Sequence, residues 1–432
     1  MTTTRLALLA ALFAGATSAP AQDTLRLGAL HASAMQHDPR GRQVALLSAQ
    51  SALRRQNLDA ERKPQLTVES QAQYQSEVAR IPIVLPGGQA VPVPSRDTYD
   101  AHLAAQQRVY DPTLAPRRAA EDARLAELEA RLRVSLVGVR QQVNDLYFAA
   151  LRAQAQVEEV TLTMRDLEEQ LRVARARVTQ GAALPSDSLA LLAELLRRGE
   201  SRAELEASRR ATFEVMANLT GLSMDSAATF ATPDLAASVA DARAHPDDVR
   251  ARAEYQQFAR ARESLARQED ARTAQDRPRV SAFGRLGYGR PGLNALSNKF
   301  DDYWLAGMQV QWTPVSWGTS TRDREVLALQ RESVLADERY FTETVHRGVS
   351  QDLAVIDRLA ATAASDDAIV ALRERIAAEM RARYREGVVT SAEYIDRETD
   401  VLSARVARSL HRVELAQARA HFLTTLGIEV RQ

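Results

Sequence analysis

The sequence predicts a mainly α fold with a smaller β part, assembled from one module written twice. Three observations predict it. The stretch around Gly181 returns around Gly387. Long segments carry apolar residues at alternating spacings of three and four. Four shorter segments alternate apolar and polar residues with period two.

The duplication comes first because it sets the organisation of everything else. Arg175-Ala176-Arg177 reappears as Arg381-Ala382-Arg383, Gly181 as Gly387 and Leu189 as Ile395. Leu196 reappears as Leu402, Arg202 as Arg408, and Gly221-Leu222 as Gly427-Ile428. The offset stays at 206 residues, so the two copies align without a gap. Each copy reads as helix, glycine turn, helix, terminal glycine. The predicted organisation is a signal peptide (1–21), a first repeat (22–221), a connector (222–243) and a second repeat (244–432).

Composition narrows the function classes. The chain has 432 residues, 45% hydrophobic, enough for a large folded body. Lys+Arg and Asp+Glu both number 56, so no basic surplus points to nucleic acid. The basic residues are nearly all arginine, Lys63 and Lys299 being the only lysines. Arg5, the apolar run Leu6–Ala14 and Ala19-Pro20-Ala21 predict an exported chain cleaved after Ala21. There is no cysteine, hence no disulfide framework and no thiol to carry a lipid at the new N-terminus. After the signal no apolar run reaches the roughly 18 residues of a membrane helix. A membrane crossing would therefore have to use strands in a closed barrel.

In chain order, residues 22–63 read as a polar start and then a helix beginning near Pro39 and stopped at Lys63-Pro64. Residues 64–110 form a predicted hairpin. Leu66, Val68, Ser70, Ala72 and Tyr74 share one face, and Tyr99, Ala101, Leu103 and Ala105 continue it after the Pro/Gly-rich segment Ile81–Pro94. Residues 113–221 form a predicted long helix hairpin. Its seam runs Leu136, Val139, Val143, Leu146, Ala150, Ala153, Val157, Val160, Met164, Leu167, Leu171, Ala174, Val178. A helix from Arg117 to Gln180 would be roughly 95 Å long, deeper than a globular core.

The second copy repeats the plan. A helix precedes a hairpin at 278–314, in which Val280, Ala282, Leu286 and Tyr288 face with Trp304, Ala306, Met308, Val310 and Trp312. A looser helix hairpin at 319–428 carries Val326, Leu329, Val345, Ile356, Leu372 and Ile376. Pro246 to Pro278 is seven residues longer than Pro39 to Pro64, which predicts an extra heptad in the preceding helix. Tyr74, Tyr99, Tyr288, Trp304 and Trp312 fall near strand ends, the place for membrane-interface aromatics. Four strands cannot close a membrane barrel, since these run from about eight strands upward. Eight strands leave an interior filled by side chains, so a hollow barrel calls for three chains and twelve strands.

The order of these parts resembles the TolC-type outer-membrane efflux proteins (outer membrane factors). The resemblance rests on Lys63-Pro64-Gln65-Leu66 and Arg277-Pro278-Arg279-Val280 where strands begin. It rests equally on Gln107-Arg108-Val109-Tyr110-Asp111 and Trp312-Thr313-Pro314-Val315-Ser316-Trp317-Gly318 where strands end, and on the tips at Gly181 and Gly387. It implies a TolC-like homotrimer, with a 12-stranded β-barrel in outer-membrane lipid joined to a 12-helix α-barrel in the periplasm. Its implied partners are a periplasmic adaptor (membrane fusion) protein and an inner-membrane pump of RND or ABC type. The implied function is a passive conduit for tripartite efflux or type I secretion, with no enzyme activity and no cofactor or metal.

The tips carry the candidate functional residues. Glu393 and Asp396 are three apart, so one helix face presents both carboxylates. Under threefold symmetry they would stack as acidic rings, which select cations in channels. The alternative is that they are first-turn carboxylates favoured by the helix dipole. The resemblance implies a periplasmic gate at Tyr384, Glu393, Asp396 and, in the first copy, Asp187. It also places Val389 where the family has a tip-closing arginine. Gly181, Leu184, Gly387 and Val388 are the expected adaptor-docking turns. The seven histidines are scattered, and no HExxH or phosphate-cradling glycine loop occurs. A periplasmic coiled-coil scaffold or adaptor that never spans a membrane is the competing reading, and the four alternating strands argue against it.

Overall fold

The structure is a computed structural model that describes residues 24–79, 93–225, 228–245, 249–250, 252–294 and 297–429. The predicted signal peptide (1–21) and residues 81–92 of the first hairpin connection lie outside the described residues. The chain divides into two compact units. One holds residues up to 38, 138–249 and from 347; the other holds 39–137 and 250–346.

The chain opens with β1 (Thr24–Leu25) and α1 (Leu27–His37). Leu27, Leu30, His31 and Ala34 are buried on one stripe of α1. The sequence reading took this stretch as a polar start, because eleven residues with two charged neighbours give too short a period to recognise. Asp38, held extended before Pro39, separates α1 from α2 (Gly41–Ala60). Strands β2 (Gln65–Tyr74) and β3 (Asp97–Tyr110) follow, then α3 (Leu114–Thr179) and α4 (Pro185–Thr220). The connector folds into β4 (Thr229–Phe230) and α5 (Ala236–Ala244), and β4 pairs in parallel with β1. Next come α6 (Ala253–Ala274), β5 (Arg279–Arg290), β6 (Asp301–Gln311), α7 (Thr319–Glu386) and α8 (Ser391–Leu426). The expected extra heptad does not lengthen the helix by seven residues: α2 has 20 residues and α6 has 22. α2 starts two positions after Pro39 and α6 seven after Pro246, because a proline spacing counts chain and not helix.

In the second unit the strands form one antiparallel sheet in the order β2-β3-β5-β6. Strand partners share a face, so the register defines rows across it. Val68, Leu103, Leu286 and Trp304 form one apolar row; Leu66, Ala105, Gly284 and Ala306 form the next. The other face carries Glu69, His102, Gly287 and Tyr303 in one row and Gln71, Asp100, Gly289 and Asp301 in another. Tyr303 donates to Asp100 (2.5 Å), which also meets His102 Nδ1 at 2.5 Å. Gly287 makes this possible, since a Cβ there would lie 2.6 Å from the Tyr303 ring. A register shift between Arg108 and Tyr110 moves Tyr110 onto the apolar face beside Val280 and Val310. Simple alternation would have put Tyr110 on the polar face.

In the first unit the seam of α3 is largely buried: Val139, Val143, Ala150, Val160, Leu167, Leu171 and Ala174. The α7 seam is open at Leu372 and Ile376 and closed at Ile356. Tyr147 of α3 lies within hydrogen-bonding distance of the Leu25 carbonyl (3.1 Å) and the Ala231 carbonyl (2.5 Å), pinning the β1–β4 pair. Burial pushes its hydroxyl up to about 12. His31 Nε2 donates to Asn144 Oδ1 (2.8 Å), and Asn144 Nδ2 to Thr424 Oγ1 (3.1 Å).

Burial, opposed by the Asn144 hydrogen bond and reinforced by nearby Arg140, lowers the His31 pKa below its ordinary 6.5. The unfolded chain then takes up the proton first, so His31 costs stability as pH falls below about 6.5. His421 behaves oppositely. Its hydrogen bond to Asp352 raises its pKa, so its contribution is complete below the unfolded value and fades as pH rises through the folded one. His31→Gln is expected to flatten the loss of Tm on acidification, and His421→Gln to steepen it. Thermal melts of both variants between roughly pH 5 and 8 check the signs.

Candidate functional site

The helix tips of the first unit are built by the same turn twice. Ala182 N donates to Arg177 O (2.8 Å) and Gly181 N to Val178 O (3.0 Å). At the second tip Val388 N donates to Arg383 O (2.9 Å) and Gly387 N to Tyr384 O (3.0 Å). Both glycines take the left-handed conformation this cap requires, φ 73° and 77°. A Cβ at either would meet nothing within 4 Å, so only the backbone conformation selects glycine. Leu184 and Val388 stand beside these turns, 67% and 69% exposed.

Behind the turns lies an apolar cluster. Leu167, Leu171, Ala174, Leu191, Tyr384 and Tyr394 are buried in it, with Leu192, Leu195, Val389 and Ile395 packed against them. Tyr384 stacks on Tyr394, centroids 5.2 Å apart and planes 11° apart. Val389, where the resemblance implies an arginine, is therefore a packing residue. Burial and the Asp187 carboxylate raise the Tyr384 hydroxyl pKa, against the opposing pull of Arg177.

The polar ties between the two tips run through Arg177 and Asp187. Arg177 donates to the carbonyls of Tyr384 (3.2 Å) and Arg385 (2.6 Å), at the C-terminal end of α7. Asp187 accepts from Ser391 Oγ (2.7 Å) and Ser391 N (3.4 Å), at the start of α8. Each charge meets the helix end whose dipole favours it. Asp187 and Glu393 occupy equivalent places in the two copies yet bond differently. Glu393 accepts from its own N-cap, Thr390 N (2.9 Å) and Oγ1 (3.0 Å), closing a capping box. The corresponding N-cap in α4 is Leu184, which has no side-chain bond to offer. Asp187 is also a methylene shorter, and it reaches across to α8 instead. These hydrogen bonds from Thr390 hold the Glu393 pKa below the usual carboxylate value.

Glu393 and Asp396 are both exposed on α8, Glu393 spending its carboxylate on the helix start. Away from the tip, α7 and α8 are joined by charged pairs: Arg381 with Glu398 and Arg373 with Asp400 (2.9 Å each), Arg405 with Glu374 (2.6 Å), Arg412 with Asp367 (2.9 Å). Sequence reasoning did not find Arg177, Ser391 or Tyr394 as tip residues. The only available signal was the repeat, and it assigns position without assigning partners. Thr390→Ala removes the cap and should cost about 1 kcal/mol locally. Hydrogen exchange at the first turn of α8 should speed up, with α4 unaffected.

Among the expected interface aromatics, Tyr74, Tyr99 and Tyr288 lie toward the hairpin-loop end of the sheet, on the apolar face. Tyr99 and Tyr288 share Phe300, with ring centroids 6.0 and 5.6 Å away, and Arg290 lies 5.3 Å over Tyr99. Trp312 follows β6 at the opposite end. Trp304 does not lie at an end: the register puts it in the middle row with Leu286, because β6 starts three residues before it while β5 extends past that row.

Solved structures with this arrangement of sheet and helices decide the fold. CusC, described for conformational changes on folding and transmembrane channel formation, superposes with a TM-score of 0.68 at 14% identity. That match covers 93% of this chain and 92% of CusC. The chain has the outer-membrane channel fold. VceC, an outer membrane protein of Vibrio cholerae, shares that fold at TM-score 0.66 and 16% identity, over 94% of this chain and 97% of VceC. The MtrE outer membrane channel of Neisseria gonorrhoeae, in its open state, does so at 0.63 and 16%, over 94% and 90%. No family model matches the sequence, and no curated protein matches it. Within this channel fold the tip cluster belongs to the helical part and the apolar rows to the sheet. Among the described residues no helix is long and apolar enough to cross a membrane.

Proposed function

We propose that this chain is one third of an outer-membrane channel that conducts cargo passively across the outer membrane and periplasm. Three copies close a 12-stranded β-barrel continued by a 12-helix α-barrel, each chain contributing two structural repeats joined through 222–243. The observation that carries this reading is the sheet. It is apolar along one face, polar along the other, and ends in β2 and β6, which have no further partner within it. Open edges and an exposed apolar face are stable in lipid only when the sheet closes. With an even strand count, β6 of one copy meets β2 of the next antiparallel, so the ring closes with uniform pairing.

The solved channels it resembles, described as outer-membrane channels, support the same location for this chain. In this reading the tip is the periplasmic gate. Arg177 and Asp187 hold the second helix hairpin against the first, Tyr384 packs the constriction, and Glu393 and Asp396 face the entrance as acidic rings. Leu184 and Val388 at the Gly181 and Gly387 turns meet a periplasmic adaptor, and an inner-membrane pump of RND or ABC type supplies the energy. The chain needs no cofactor or metal and performs no catalysis. The test is biochemical. The protein should partition with the outer membrane, need detergent for release, crosslink as a trimer and form discrete conductance steps in planar bilayers. A water-soluble monomer would instead indicate a periplasmic scaffold.

A further inference from the structure

The helices of the second unit hold a cavity to which the channel reading gives no role. Its volume is about 710 Å³, and it lies among α2, α3 and α6, with Leu327 of α7 also lining it. Small-molecule sites span roughly 300–1,000 Å³. All of its walls come from one chain. Two of its three main helices, α3 and α6, adjoin the inner strands β3 and β5, not the edges that would pair with neighbouring copies. Each wall is one helix stripe. Arg54, Leu58 and Glu61 come from α2 and its C-cap, and Arg117, Ala120 and Arg124 from α3. On α6, Ser264 is fully buried and accepts from Gln268 Nε2 (3.3 Å).

Most charges in these walls are already matched. Arg117 donates through both terminal nitrogens to Glu61 (2.8 and 2.9 Å), and Arg54 donates to Glu121 (3.1 Å). The Arg117 bonds hold the Glu61 carboxyl below the usual carboxylate range, so this pair stays ionised. Arg272 turns to Asp323 (2.6 Å) and Glu127 to Arg131 (3.4 Å), and neither partner lines the cavity. Arg124 is left over. It is exposed and has no ion-pair or hydrogen-bond partner among the described residues. Glu61 also accepts from Arg108, which lies in a row with Ser281 and Gln309 on the polar face of the sheet. The cavity is thus continuous with the face that the proposed barrel turns to its lumen.

We propose that this cavity is a luminal site for a monovalent organic anion with an apolar body, an aryl-alkyl carboxylate in chemical class. The Arg124 guanidinium matches one carboxylate through two parallel hydrogen bonds. Leu58, Leu327, Ala120 and Ala271 meet the apolar body, and the Asn57 and Gln268 amides supply further donors. A phosphate monoester carries close to two charges and would lack a second free cation. The proposal rests on the barrel reading for its luminal side, and the experiment keeps the two apart. Full-length protein in lipid nanodiscs is titrated with phenylbutyrate and with phenylbutylamine, followed by saturation-transfer NMR. The acid should bind saturably and the amine should not; equal binding overturns the site. Arg124→Gln should weaken the acid about tenfold, the loss of one charge-assisted hydrogen bond. Arg118→Gln should leave it unchanged, since Arg118 pairs with Asp59 (3.0 Å) outside the cavity. An equal effect of the two changes overturns the site. The chain has no cysteine, so Gln268→Cys supplies a single thiol. In planar bilayers a negatively charged methanethiosulfonate should alter the conductance of this variant and not of the parent, and phenylbutyrate should slow the change. Conductance steps that labelling leaves untouched overturn the luminal site alone. No conductance step from parent or variant overturns the barrel, and the luminal placement with it.

Discussion

A Leu286→Arg protein is expected to be missing from the outer membrane. Leu286 lies in the middle apolar row with Val68, Leu103 and Trp304, and 63% of it is exposed in the single chain. In the proposed barrel that exposure faces lipid. An arginine at the bilayer midplane costs roughly 2–4 kcal/mol. Threefold symmetry multiplies this to roughly 6–12 kcal/mol per assembly, on the order of the whole stability of a domain, ~5–15 kcal/mol. Gln71→Arg is the matched control. It lies on the polar face in a row with Asp100 and Asp301, where a cation meets carboxylates. Membrane fractionation should find Gln71→Arg at the parent level and Leu286→Arg in the soluble or degraded fraction. Equal insertion of both would remove the assignment of the two faces, and with it the barrel.

A Gly387→Asp protein should insert and form trimers normally but lose export. The turn has room for the side chain, with nothing within 4 Å of a Cβ. Aspartate tolerates the left-handed conformation, so the folding cost stays near 1 kcal/mol. The same change puts a charge beside exposed Val388, on the surface proposed to dock apolar adaptor helices. Burying an unpaired carboxylate in such an interface costs several kcal/mol, about a thousandfold in affinity. Crosslinking to the adaptor in cells, and rescue of a deletion strain's sensitivity to exported compounds, are the readouts. Unchanged rescue would place docking elsewhere. Lost trimerisation would show instead that the turn is needed for assembly.

Much of the fold was legible because its signals are local. Alternation located all four strands, and the three/four spacing located α3, whose seam residues Val139 to Ala174 are mostly buried. The glycine turns were legible because a left-handed cap has few residues that suit it, and the duplication repeats them at a constant offset. Less legible were α1 and the β1–β4 pair. Two-residue strands have no period to detect, and they exist because Tyr147 and its neighbours hold them.

At the tip the sequence located the glycine turns and not the contacts around them. Tyr384, Asp187, Glu393 and Asp396 were singled out by the resemblance together with their spacing from the glycines. That Val389 packs among leucines, and that Arg177 and Asp187 carry the ties to α7 and α8, was not legible. A side chain's reach depends on which helix end lies next to it, and the repeat offset is the same for residues with different neighbours.

By itself the sequence determined the long helices, the four strands of the larger sheet and the glycine turns, and that helix hairpin and strand pair are each made twice, since backbone preference and apolar period act over a few residues. Only the tertiary structure decided the rest. The shift after Arg108 carries Tyr110 to the apolar face, and the register puts Trp304 in mid-sheet. Asp187, the counterpart of Glu393, bridges to another helix instead of closing on its own. Those outcomes depend on pairing between residues tens to hundreds of positions apart, and such pairings form only once the chain has brought the partners together.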